Sequence, residues 1–215
     1  MSRDWALSRF GRKTVLCAIA AEPEYGAALK ARIRPLITGV GPVEAAAVVA
    51  HALAELKAEG ALPDLVISLG SAGSRTLDHA RVYRVSHVSY RDMDASCLGF
   101  AKGETPYPRV AAVLPLADGP PSLPPARLAT GASVVSGAAW DAVDADMVDM
   151  ETFAVVRAAV RFGVPVLGLR GVSDGRTDLS ELSHWTDALA EIDLRLADAL
   201  DLLHDHFSPA ATEPA

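Results

Sequence analysis

The chain has 215 residues, half of them hydrophobic, and a formal net charge of −7 at pH 7. This length suits one domain with an ample core, and the negative charge argues against a nucleic-acid partner, because such a surface repels phosphates. Two cysteines, Cys17 and Cys97, are too few for a disulfide framework, and no apolar run reaches the ~20 residues that span a bilayer. We therefore expect a cytoplasmic protein without a membrane or nucleic-acid partner.

The first half of the chain predicts strands alternating with helices. "TVLCAIA", from Thr14, is typical of a buried parallel strand, so residues 1–13 are taken as an N-terminal extension. "ALKARIRP" has mixed helical character, and "PLITGVGP" predicts a strand and a glycine turn. "PVEAAAVVAHALAELKAEG" predicts a helix with Pro42 in its first turn and Gly60 at its end. "PDLVISLGSAGS" predicts a buried strand running into a glycine-rich turn, and "RVYRVSHVS" alternates like a strand with one wetter face.

The second half opens with an irregular region. Residues 101–125 hold seven of the 14 prolines, which predicts a surface excursion without regular structure. "RLATGASVVSG" predicts a strand, "ETFAVVRAAVRFG" a helix, "VPVLGLRGVSDG" a strand and "TDALAEIDLRLADALDLLHDHF" a long amphipathic helix. Residues 208–215 predict a flexible tail. Residues 14–207 are therefore expected to form a single α/β domain with a mostly parallel or mixed sheet.

Polar residues follow several of the predicted strands. In α/β sheets, ligands sit in the crevice beyond the carboxyl ends of the strands. The residues in such positions are Glu22, Glu24, Ser71, Ser136, Ser173 and Asp174. "VDMETFAVV" adds Asp149 and Glu151, two acids at the start of an apolar helix, where unpartnered acids are rarely buried. These residues are candidates for one shared site.

Seven pieces of sequence carry a resemblance to a known family. They are "AIAAEPE", "TGVGPVEAA", "ISLGSAGS", "YRDMDASCLGF", "VVSGAAW", "MVDMET" and "VLGLRGVSDG". In this order they resemble the 5′-methylthioadenosine/S-adenosylhomocysteine nucleosidases of the purine nucleoside phosphorylase superfamily. The resemblance implies a twisted mixed β-sheet flanked by helices, commonly in a homodimer, with the region after "RDMDASCLGF" contributing to the dimer contact. It also implies hydrolysis of the N-glycosidic bond between adenine and a 5′-substituted ribose, with a nucleoside and water as the partners and no cofactor.

The resemblance also implies roles for individual residues. Glu24 is similar in position to the base that activates the attacking water, and Asp174 to the acid that serves N7 of adenine. Glu151 resembles the residue that holds the ribose hydroxyls. The other implied substrate contacts are Met150 against the sugar, Ser71 with the neighbouring Ala72 and Gly73, Ser173, Trp140 as an aromatic stacking on adenine, and the backbone of Asp141.

The chemistry explains why three carboxylates are needed. Cleavage builds positive charge on the ribose and negative charge on the leaving adenine, so an acid at N7 and a carboxylate near the sugar each stabilise one half. Phosphorolysis in this superfamily instead needs arginines that hold phosphate. Glu24 and Ser68 occupy the places of those arginines, which favours water as the nucleophile. Phosphorolysis, hydrolysis of another nucleoside such as futalosine, and a non-catalytic nucleoside-binding domain remain as alternatives.

Each candidate residue also has a structural explanation. Glu24 and Glu151 suit the first turn of a helix, Asp174 and Ser71 suit turns, and Trp140 suits a core. "DMD", Asp92 to Asp94, has too few ligands for a calcium loop, and no metal site is predicted.

Overall fold

Nine strands form one mixed sheet in the computed structural model, which describes residues 3–175 and 183–208. The strands are β1 (Ser8–Phe10), β2 (Lys13–Ile19), β3 (Leu36–Ile37), β4 (Leu65–Gly73), β5 (Val82–Tyr90), β6 (Val113–Pro115), β7 (Pro125–Thr130), β8 (Met147–Asp149) and β9 (Val166–Asp174). The helices are α1 (Ala27–Lys30), α2 (Pro42–Ala58), α3 (Thr152–Val160), α4 (Ser183–Thr186) and α5 (Leu189–Phe207). Three short 3-10 helices cover Glu22–Glu24, Ser96–Leu98 and Gly137–Ala142.

The central strands close on themselves. β4 pairs with β9, β9 with β5, β5 with β7, β7 with β8, and β8 returns to β4. The β4–β8 contact is antiparallel and joins Gly73 to Val148, which both lie near the carboxyl ends of their strands. The closure therefore brings the carboxyl ends of β4, β8 and β9 to one corner, since β9 runs parallel to β4.

The sheet is buried on both faces. Alternate side chains of β2 point to opposite sides, so Leu16 and Ala18 pack in one core cluster while Val15 and Cys17 pack in another. The first cluster includes the apolar faces of α2 and α3, and the second includes that of α5. This double cover explains why β2, β4 and β9 read as nearly continuous apolar runs.

The predicted fold class, an α/β domain with a twisted mixed sheet flanked by helices, is confirmed. Helix α2 starts at Pro42, and Gly60 follows its end with φ of +69°, a conformation that suits glycine. Regular structure within residues 101–125 is limited to β6, an isolated bridge between Thr105 and Val110, and Pro125 at the start of β7.

Two segments differ from the sequence interpretation. Residues 8–10, placed in an N-terminal extension, form β1 and pair antiparallel with β2. The strand predicted in "RLATGASVVSG" ends at Thr130, because the chain then turns away to line a cavity. Of the predicted flexible tail, residues 209–215 lie outside the described residues. None of the helices in the described part of the chain combines the length and the apolar character needed to cross a membrane.

Candidate active site

A cavity of about 500 Å³ lies at the corner where β4, β8 and β9 end. Its size is in the range of small-molecule sites. Eight of the ten predicted site residues line it: Glu24, Ser71, Ala72, Gly73, Met150, Glu151, Ser173 and Asp174. The remaining lining residues include Val40, Ser133, Val134, Val135, Asp149 and Trp185.

Glu24 enters the cavity from the 3-10 helix that follows β2. Pro23 stands in the first turn of this helix, where its fixed φ suits the turn. The buried Glu24 carboxylate accepts two hydrogen bonds on Oε1, from the backbone N–H of Ser71 at 2.7 Å and from the Ser71 hydroxyl at 2.6 Å. Gly70 allows this approach, because a Cβ there would lie 3.1 Å from the same oxygen. Glu24 is thereby fixed against the end of β4.

Asp149 is the structural acid of the pair in "VDMET". It is buried at the end of β8 and forms an ion pair with Arg170, also buried, at 2.8 Å. Asp149 also accepts hydrogen bonds from the hydroxyls of Thr130 and Thr152 and from the backbone N–H of Thr152. Buried charges need this kind of complete pairing, and it fixes β8 against β9 and the start of α3.

Glu151 is the second acid, and it faces the cavity. It precedes α3 with φ of −132° and ψ of −35°, which is neither strand nor helix. The strand alternation is broken here, so that Met150 and Glu151 both line the cavity. Glu151 Oε1 accepts a hydrogen bond at 2.8 Å from the backbone N–H of Gly41, the residue before α2. The carboxylate thus lies at the amino end of α2, where the helix dipole favours negative charge.

The environment of Glu151 also alters its proton affinity. Burial, assisted by the nearby charge of Asp149, raises the pKa of Glu151 from 4.5 to about 7. The Gly41 N–H and the Arg170 charge act in the opposite direction. Glu151 therefore changes charge close to neutral pH.

Asp174 ends β9 on the neighbouring side of the cavity. Its Oδ2 accepts a hydrogen bond at 3.3 Å from the hydroxyl of the buried Ser173. Burial raises the pKa of Asp174, while the Ser173 hydrogen bond and His79 oppose the change. Gly73 on β4 makes room for the carboxyl group, because a Cβ there would lie 2.5 Å from Oδ1. A carboxyl group in this position holds its proton to higher pH than an exposed aspartate.

Two predicted site residues do not line the cavity. Trp140 is buried in a small core cluster with Ala129, Val135 and Val148, behind the end of β4. Asp141 is exposed and pairs with Arg75 at 2.8 Å. Trp140 therefore lies in the core, which the sequence analysis gave as the alternative to stacking on adenine.

The sequence analysis did not single out Trp185, an aromatic residue of the cavity. Trp185 belongs to α4, and its indole N–H donates to the Ser71 hydroxyl at 2.8 Å. The residues between Asp174 and α4 showed no periodic pattern that would place a tryptophan beside β4. The sole available signal was its position shortly after Asp174 in the chain.

The charged side chains that line the cavity indicate which nucleophile it can hold, water or phosphate. Among the described residues, the cavity lining contains Glu24, Glu151 and Asp174, which come from separate segments, and Asp149, which is paired with Arg170. The described lining contains no lysine or arginine. Ser68, which the resemblance of the sequence placed where phosphorylases carry arginine, is buried and bonds to Arg170. The part of the chain that the structure describes also has no cluster of three or more His, Cys, Asp or Glu side chains that could hold a metal ion.

A closed mixed sheet with an acid-lined cavity of small-molecule size at its carboxyl corner defines the class of α/β protein to which this chain is compared. The sequence model of the phosphorylase superfamily matches residues 30–203. The chain therefore belongs to the phosphorylase superfamily. Comparison with curated protein sequences gives no match.

Several solved structures share the fold. The 5′-methylthioadenosine/S-adenosylhomocysteine nucleosidase of Colwellia psychrerythraea, solved with adenine, is 18% identical with a TM-score of 0.73, over 94% of this chain and 100% of that one. The corresponding nucleosidase of Helicobacter pylori, solved with butyl-thio-DADMe-Immucillin-A, is 17% identical with a TM-score of 0.71, over 87% and 97%. The futalosine hydrolase of Helicobacter pylori is 17% identical with a TM-score of 0.62, over 89% and 94%. At these identities the likeness establishes the fold.

Proposed function

We propose that this protein is a nucleosidase that hydrolyses the N-glycosidic bond of an adenosine derivative and releases adenine. The observation that carries the proposal is the meeting of Glu24, Glu151 and Asp174 around one cavity. These acids come from three separate segments, and each is held by a different neighbour. Three carboxylates around one cavity suit a reaction that develops opposite charges on sugar and base.

Each acid has a distinct task in this proposal. Asp174 protonates N7 of adenine as the bond between N9 and C1′ breaks, and its raised pKa supports this role by keeping the proton available. Glu24 takes a proton from the water that attacks C1′. Glu151, in its ionised form, accepts hydrogen bonds from the ribose hydroxyls and stabilises the cationic sugar.

The surroundings support water over phosphate as the nucleophile. A phosphate dianion needs cationic partners such as arginine, and the described lining supplies carboxylates instead. Glu24 would repel a phosphate at the position where it suits a water molecule. Hydrolysis therefore agrees better with the charge of this cavity than phosphorolysis does.

Two kinds of nucleoside are candidates for the substrate. The resemblance of the sequence motifs favours methylthioadenosine, S-adenosylhomocysteine or 5′-deoxyadenosine. The shared fold of a futalosine hydrolase supports futalosine as a second candidate. Both candidates present a purine N7 to Asp174 and a ribose to Glu151.

One assay tests the proposal. Purified protein is incubated with each of these four nucleosides, with and without inorganic phosphate, and the released base and sugar are measured. We expect free adenine, or the corresponding base from futalosine, at the same rate in both conditions. Release that requires phosphate and yields a sugar 1-phosphate would indicate phosphorolysis. Tight nucleoside binding without release would indicate a non-catalytic domain.

A further inference from the structure

Trp185 connects two parts of the cavity that lie far apart in sequence. It belongs to α4, which follows the Asp174 segment, and its indole N–H donates to Ser71 Oγ at 2.8 Å across 114 positions of the chain. Its side chain is partly buried and lines the cavity. The contact therefore joins the part of the site that follows β9 to the end of β4.

The two side-chain hydrogen bonds of Ser71 show where its hydroxyl proton points. A serine hydroxyl has one proton to donate, and a tryptophan indole is a donor only. A carboxylate only accepts, so the Ser71 proton points to Glu24 Oε1 at 2.6 Å, and Ser71 Oγ accepts from the Trp185 indole N–H on another side. Trp185 thus prevents the hydroxyl from accepting a hydrogen bond in that direction from any other group.

The two carboxylate oxygens of Glu24 differ in the hydrogen bonds that they accept. Oε1 receives both the Ser71 hydroxyl and the Ser71 backbone N–H. No described residue donates a hydrogen bond to Oε2. Oε2 is therefore the Glu24 oxygen that the described residues leave without a donor.

We infer that Trp185 is a positioning residue, whose indole N–H holds the Ser71 hydroxyl in the place from which it donates to Glu24 Oε1, and so leaves Glu24 Oε2 to accept the proton of the attacking water. The inference rests on the proposed hydrolysis for its catalytic part. Its structural part, the Trp185–Ser71–Glu24 chain, stands on the geometry alone. A phenylalanine at position 185 fills similar space but has no N–H, so Trp185→Phe removes the hydrogen bond with little change in packing.

The structural part is tested by NMR on protein labelled with ¹⁵N-tryptophan. The chain has three tryptophans, and their indole N–H signals are assigned with single Trp→Phe variants. We expect Ser71→Ala to shift the Trp185 signal, because the acceptor is lost, and to leave the Trp5 signal in place. A Trp185 signal that does not respond to Ser71→Ala overturns the inference.

The catalytic part is tested by a double-mutant cycle on kcat and KM. Loss of one hydrogen bond is worth roughly three- to tenfold in rate, so Trp185→Phe should lower kcat by about that factor, with KM within about twofold. In the Ser71→Ala background the same substitution should have no further effect on kcat. Trp5→Phe serves as the matched control and should retain wild-type kinetics, because Trp5 packs against the first core cluster and does not line the cavity.

The outcomes separate the two proposals. An equal loss from Trp185→Phe with and without the Ser71 hydroxyl would mean that the ring acts by direct contact with the substrate, and it would overturn the inference. Failure of the wild type to cleave any nucleoside would overturn the proposed function, while the response of the Trp185 signal would still decide the contact itself.

Discussion

The three cavity carboxylates differ in the donors that hold them. Glu24 accepts two short hydrogen bonds on one oxygen, Glu151 accepts one backbone N–H at the start of α2, and Asp174 accepts one long bond from a hydroxyl. The least strongly paired of these, Asp174, also has its pKa raised by burial. This difference in the number and length of the hydrogen bonds supports Asp174 as the acid and Glu24 as the base.

Asp174→Asn tests the acid. The amide has nearly the same shape but no acidic proton, so we expect kcat to fall by roughly 10²- to 10⁴-fold with an unchanged melting temperature. Asp205→Asn, an exposed change on α5, is the matched control and should keep full activity. Activity of Asp174→Asn within threefold of wild type would remove Asp174 from the acid role.

Glu151→Gln tests recognition of the ribose. The charge is lost while one hydrogen-bond acceptor remains, so transition-state binding should weaken by roughly 2–4 kcal/mol. Wild type should discriminate strongly against a 2′-deoxy nucleoside, and Glu151→Gln only weakly, in a comparison of kcat/KM values. Equal discrimination by both proteins would make Glu151 a structural residue at the start of α3.

The pH dependence of stability provides an independent test of the environment of Glu151. Burial raises its pKa from 4.5 to about 7, so the folded state holds more protons than the unfolded state between these values. This contribution to the free energy of unfolding is complete below about pH 4.5 and is lost as pH rises through about 7. Urea unfolding from pH 5 to 8 should show wild type losing stability relative to Glu151→Gln, which does not titrate. Parallel curves would contradict the assigned environment.

At the scale of elements, the site depends on the close approach of β4 and β9. Gly73 pairs with Asp174 across these strands and with Val148 on β8. A Cβ at position 73 would lie 2.5 Å from Asp174 Oδ1 but no closer than 3.3 Å to Trp140. The strand ends therefore tolerate a methyl group only if the Asp174 carboxyl group moves.

Gly73→Ala is expected to displace the acid while the fold remains. The clash is with the end of a side chain, which can rotate, so the melting temperature should change by only a few degrees. The kcat should fall at least tenfold, because small displacements of a catalytic group have large effects. The measurements are thermal unfolding and adenine release. Unchanged kcat would show that Asp174 does not need its present position.

The sequence predicted the elements better than it predicted their contacts. Helix α2 and strands β4 and β9 follow from local patterns, such as Pro42 in the first turn and long apolar runs. Strand β1 was missed because three residues at an edge, with a mixed burial pattern, give no periodic signal.

The same limit applies to the site. The acids were predicted because they follow strands, and position along the chain decides which edge they reach. Trp140 packs behind β4 and does not line the cavity, while Trp185, to which the sequence analysis gave no role, donates to Ser71. The contact of Trp185 depends on tertiary packing between segments 114 residues apart, which local patterns do not contain. The Asp149–Arg170 pair was likewise visible only after β8 and β9 were placed in the closed sheet.

At the scale of the whole molecule, several large apolar side chains are left in contact with solvent. Leu98 and Tyr107 are 74% and 87% exposed, and both follow the "YRDMDAS" segment. Val40 and Val134 at the cavity are 56% and 64% exposed. Contiguous apolar patches mark surfaces that bind another protein. We propose that Leu98 and Tyr107 belong to such a patch and that a second copy of the chain covers it.

Sedimentation velocity at micromolar concentration should therefore show a homodimer. If the surface of Leu98 and Tyr107 forms the contact, the double variant Leu98→Asp and Tyr107→Asp should sediment as a monomer, because it would bury two like charges in each half of the interface. Leu194→Asp is the matched control, since Leu194 is 59% exposed on α5, and this variant should remain dimeric. A monomeric wild type would refute the dimer. A double variant that stays dimeric would move the interface to another surface, and the same experiment with Val40→Asp would then ask whether the cavity mouth is part of it.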